Sequence, residues 1–191
     1  MKYNNYYHCN MKISDPILQT KTWLENIVIG LQLCPFASKV YLEDRVGFSV
    51  IKFLDNNLLH PTNEIINDIL ATSTRTTTSL LIVTEGLEDF NEYLDTVYAL
   101  EAALKADGLD EEIQVASFHP DYTFEGTETD DIENYTNRSP FPIIHFLKVE
   151  EVAAAIDSYP DTSSIPEDNK KKLKEIGLAA LLRMYHQESI T

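Results

Sequence analysis

The chain reads as an α/β or α+β domain built on a four-stranded mixed sheet covered by helices. Three observations predict it. Apolar runs of strand length alternate with longer segments whose apolar residues recur at helical spacing. The run Ser79 to Thr84 (SLLIVT) is apolar without alternation, as in an interior strand covered on both faces. His119 to Pro140 has neither pattern, yet it carries Tyr122, Phe124 and Tyr135, which chains bury. It is read as a long ordered loop between the last two strands, and such loops usually form sites.

Each element follows from its residues. Pro16 to Leu33 is predicted as a helix from the stripe Trp23, Ile27 and Leu31 with Leu24, Val28 and Leu33, and Pro35 breaks or restarts it. Val46 to Phe53 (VGFSVIKF) has strand composition. A helix follows from Pro61 or Thr62 with Ile65, Ile66, Ile69 and Leu70 inward, and then comes the SLLIVT strand. Glu88 to Ala106 is the clearest helix, with Tyr93, Val97, Leu100 and Leu104 in step, acids in its first turn and Gly108 to end it. Ile113 to Phe118 is a strand, and after the loop Phe141 to Lys148 (FPIIHFLK) returns as another. Val149 to Ile156 is a short helix, and a last helix runs from Ser164–Pro166 to His186.

At 191 residues, with 43% apolar and 10% aromatic side chains, the chain suits one globular domain over residues 16–191, behind a flexible extension at 1–15. Its net charge of −16, from 15 Lys and Arg against 31 Asp and Glu, argues against nucleic acid and anionic membrane as partners. No run is long enough to span a bilayer, and MKYNNYYHCN has no apolar signal core, so the expected compartment is the cytoplasm. Cys9 and Cys34 are too few for a disulfide framework.

His119 follows directly on a strand, with Asp121 two residues on, so the pair reads as a general base with its orienter, as metal ligands, or as a strand-end cap. Cys34 has three readings. At the end of the Pro16 helix its thiol is blunted; as the cap of a new helix PFASKVY its thiolate is favoured; or it is core. Arg138 is the one basic residue of the loop, an anion anchor or a brace, with Asn134 and Asn137 beside it. The acids Glu128, Asp130, Asp131 and Glu133 read as the cap and first turn of a short helix rather than a cation site. His145 lies mid-strand, as a core residue or as a second ring facing the His119 cavity.

Three blocks carry a family resemblance. Ile29-Gly30-Leu31 with Leu33-Cys34-Pro35-Phe36-Ala37 is the first, and Ser117-Phe118-His119-Pro120-Asp121-Tyr122 with Phe124 and Gly126 the second. The third is Glu133 through Pro140, followed by Pro142 and His145. In this order, over roughly residues 20 to 180, they resemble a bacterial family known as domain of unknown function 1415. The resemblance implies no reaction and no cofactor.

The favoured expectation is a small-molecule enzyme with its pocket under the 119–140 loop. Cys34 is its nucleophile, His119 its base and Asp121 the orienter, while Tyr122, Asn134, Asn137 and Arg138 hold a ligand that carries negative charge. One alternative is a metal site of His119 with Asp121, Cys34 or His145. The other is a binding module that docks a partner on the aromatic, acidic loop.

Overall fold

The computed structural model describes residues 15–54, 58–71, 75–159 and 161–185. The predicted N-terminal extension, Cys9 and the end of the last predicted helix lie outside the described residues.

Four strands form one mixed sheet in the order β1-β2-β4-β3: β1 Val46–Ile51, β2 Thr78–Val83, β3 Ile113–Phe118 and β4 Ile143–Lys148. β1 and β2 run parallel, joined through α3 (Leu59–Leu70), while β4 runs antiparallel to both of its neighbours. α4 (Phe90–Ala106) carries the chain from β2 past the β4 position to the edge strand β3. Every residue of β2 is buried, as its unbroken apolar run requires of a central strand.

Alternation along the strands divides the interior into two cores. One face packs Leu81, Ile144 and Phe146 against Ile65 and Ile69 of α3 and Tyr93 and Val97 of α4. The other sets Leu80, Ile82 and Ile143 against Trp23 and Ile27 and against Leu173 and Leu181 from the C-terminal helices. The second face also holds the candidate site.

Two helices differ from the sequence expectation. The Pro16 helix is α-helical only as α1 (Pro16–Trp23); Leu24–Ile29 widens into a π-helical segment, with Gly30 N–H donating to Glu25 C=O at 2.9 Å. The wider turn moves carbonyls outward, and a Cβ on Gly30 would stand 2.5 Å from the Asn26 oxygen. Glycine is required there. The chain then restarts as α2 (Ala37–Leu42). After α5 (Val149–Asp157), the last predicted helix is two, α6 (Ile165–Ile176) and α7 (Leu178–Tyr185), broken at Gly177, whose φ of 78° a side chain resists.

Candidate functional site

The 119–140 loop is ordered, with a 3₁₀ turn at Ile132–Thr136 and Asp131 at its N-cap position. Its polar side chains, however, hold the loop itself. Buried Asn134 accepts from the Phe124 N–H and the Thr127 hydroxyl and donates to the Glu128 and Thr129 carbonyls. Arg138 donates to the Tyr122 and Thr129 carbonyls and lies 4.4 Å over the Tyr135 ring. Asn137 donates to the Ser117 carbonyl at 3.1 Å, and Tyr122 packs on Phe90 and Phe124.

His119 is fully buried against Phe90 and Tyr93 on the α4 side of the sheet. Leu87 C=O can only accept and the Asp121 N–H can only donate. The neutral ring therefore carries its proton on Nε2, 3.0 Å from Leu87, and accepts at Nδ1, 3.0 Å from the Asp121 nitrogen. Burial pushes its pKa down. Asp121 meets the ring through its backbone, and its side chain is exposed.

Cys34 stands on the opposite face, packed with the Trp23 core. The structure therefore does not bring Cys34 together with His119 and Asp121, and the cavity it does show lies on the Cys34 face of the sheet. Among the described residues, no three His, Cys, Asp or Glu side chains group as a metal site requires.

That other face carries a half-open cavity of about 550 Å³. Its floor is the sheet: Thr78 and Leu80 of β2, Ala116 and Phe118 of β3, His145 and Leu147 of β4. One wall is Trp23, the π segment and the Cys34-Pro35-Phe36-Ala37 turn, so the first signature block surrounds it. π segments recur at functional sites, where the wider turn re-aims side chains. The other wall is α5, in which no residue is fully buried. Two contacts clamp α5 down: the Phe36 and Tyr159 rings meet edge-on at 5.7 Å, and Arg45 pairs with Glu151 at 2.6 Å.

His145 and Thr78 form the polar pair of the floor. Thr78 Oγ1 lies 2.9 Å from the Phe146 carbonyl and 2.5 Å from His145 Nε2. The carbonyl takes the single hydroxyl proton, so Thr78 must accept from His145, and the ring is the neutral Nε2–H tautomer. Nδ1 then carries a lone pair and has no hydrogen-bond partner among the described residues. Burial lowers the pKa to about 4, so the ring stays neutral at physiological pH.

Cys34 is a free thiol on the cavity lining. Burial raises its pKa, and hydrogen bonds from the Phe36 and Ala37 N–H groups oppose this without overcoming it. Of the readings open to Cys34, the helix cap is not formed, since the N-cap position of α2 is Phe36; Cys34 lies in the preceding turn and packs with the Trp23 core. Desolvation dominates, and the resting group is a neutral thiol.

Sequence reasoning placed His145 and Cys34 but missed Thr78, Phe118 and the Arg45–Glu151 clamp. Their signal was weak: Thr78 ends a threonine run, and Glu151 reads as an ordinary first-turn acid.

Fold and site together define an α+β domain with a half-open, mainly apolar cavity on one face of a mixed sheet. The chain belongs to the family described as protein of unknown function DUF1415, whose model matches residues 15–183. Comparison with curated proteins and with solved structures returned no match.

Proposed function

We propose that the protein binds a small, mainly apolar molecule in the cavity over the β2–β4–β3 floor, in the reducing cytoplasm where Cys34 stays a thiol. The observation that carries this reading is the cavity itself. Its volume of about 550 Å³ falls in the range of small-molecule sites, and its lining is mainly apolar, with the Thr78–His145 pair on the floor and charged side chains toward one end. The apolar walls supply affinity, and His145 Nδ1 supplies orientation by accepting an O–H or N–H from the ligand. No helix among the described residues is long and apolar enough to cross a membrane.

A second reading makes the same cavity an active site. Cys34 and His145 both line it. A neutral thiol needs a base to become a nucleophile, and the unengaged Nδ1 of His145 is the imidazole nitrogen on this lining, a weak base while burial holds its pKa near 4. The expected nucleophile is kept, and His145 takes the place assigned to His119.

Both readings are tested by alkylating Cys34 with iodoacetamide in a Cys9→Ser background, with and without saturating N-phenyl-1-naphthylamine, a neutral apolar fluorophore. Occupancy is expected to slow alkylation at least tenfold. An unchanged rate under saturating probe would remove the cavity reading. His145→Phe is expected to slow alkylation near neutral pH if the imidazole serves as base. An equal rate removes the second reading only.

A further inference from the structure

We infer that the ligand is a small amphiphile whose carboxylate sits at the Lys39–Arg45 end of the cavity, with its apolar body running toward Trp23 and Phe118. The inference rests on the cavity reading above and specifies the molecule. Its first support is an inversion of charge. The whole chain has 15 basic against 31 acidic residues. The cavity lining has Lys39, Arg45 and Lys148 against Glu151 alone. In a protein whose net field repels anions, such an excess favours one here; the other basic cluster among the described residues, Lys170, Lys171 and Lys174, lies on α6 with Glu167 and Glu175 among it and no apolar cavity beneath.

The second support is the order of side chains along the floor. In the β3–β4 register, Phe118 lies across from Ile143, Ala116 from His145 and Gln114 from Leu147, with Lys148 next. Trp23 meets Phe118 edge-on at 5.4 Å and closes the apolar end. From Phe118 to Gln114 the strand covers roughly 13 Å. Over that length the lining passes from aromatic through the Thr78–His145 pair to exposed Gln114 and the cations. A neutral apolar ligand has no use for the last step, whereas an amphiphile does.

The third support is which cation is uncommitted. Arg45 meets Glu43 at 3.3 Å and Glu151 at 2.6 Å, and Lys148 meets Glu150 at 3.5 Å. Lys39 makes no ion pair among the described residues and is exposed. It lies four residues, one turn of α2, before Glu43, which places it at the Arg45 end. One uncommitted cation matches a monoanion such as a carboxylate.

Octanoate and its neutral analogue methyl octanoate, competing against N-phenyl-1-naphthylamine, separate head from body. Octanoate is expected to displace the probe at about tenfold lower concentration, since a charge-assisted contact is worth about that much. Lys39→Met should erase the difference and leave methyl octanoate unchanged. Equal competition by the two compounds, with the probe still bound saturably, overturns the carboxylate inference and leaves the cavity reading standing. A probe that does not bind at all overturns both.

Discussion

Thr78 sets the protonation of His145: its hydroxyl donates to the Phe146 carbonyl and so accepts from Nε2, 2.5 Å away. The consequence is an imidazole with a fixed tautomer and a lone pair inside the cavity. Nitrogen-15 NMR of the histidine rings should show His145 as the Nε2–H tautomer at neutral pH. Thr78→Val removes the acceptor and leaves the ring N–H unsatisfied in the interior, which costs about 1–3 kcal/mol in denaturant unfolding. A His145 spectrum of the Nδ1–H form would contradict the assignment.

The same ring makes stability depend on pH. Its pKa falls from an unfolded value of 6.5 to about 4 in the fold, so the unfolded chain binds the proton more readily. Its contribution is complete above pH 6.5 and is lost as pH falls through about 4. A shift of that size is worth on the order of 3 kcal/mol. Burial lowers the His119 pKa too, which acts in the same direction. Urea unfolding at a series of pH values should show wild type losing stability over this window more steeply than His145→Gln.

Loop and cavity should respond separately to mutation. Asn134 satisfies two donors and two carbonyls within the loop, so Asn134→Ala should destabilise the protein by about 2–3 kcal/mol. Under conditions where the variant stays folded, its affinity for N-phenyl-1-naphthylamine should match wild type. A weakened probe with unchanged stability would return the site to the loop.

The α5 wall rests on contacts that are easily loosened. The Arg45–Glu151 pair is partly exposed, with side-chain accessibilities of 20% and 39%, so Glu151→Gln should cost under about 1 kcal/mol. Because α5 has no fully buried residue, even that loss should admit reagent more often. Alkylation of Cys34 is expected to rise several-fold while the unfolding midpoint hardly moves.

Much of the fold was legible because its signals are local. α4 announces itself in the spacing of Tyr93, Val97 and Leu104, and β2 in an apolar run too short for a helix. The π segment was not legible, because Leu24, Ile27 and Val28 fit an α stripe equally well and only five-residue backbone bonds, such as Gly30 N–H to Glu25 and Leu33 N–H to Val28, distinguish the two. The break at Gly177 was legible in principle, since a glycine followed by a new apolar start is a helix end. The site was half legible. Cys34 and His145 were candidates, but their shared face depends on the strand order, in which β4 inserts between β2 and β3. The loop drew attention because asparagine, arginine and histidine serve turns and ligands alike, and here their partners are backbone groups.

The most direct test of the cavity is to fill it from the floor. Ala116 lies opposite His145 and lines the void, so Ala116→Phe replaces ligand volume with side chain. Titrating N-phenyl-1-naphthylamine into wild type and Ala116→Phe, with folding matched by circular dichroism, reads the outcome. One saturable site per chain is expected in wild type and none in the variant. Equal binding by the two, or no saturable binding by wild type, would contradict the cavity reading.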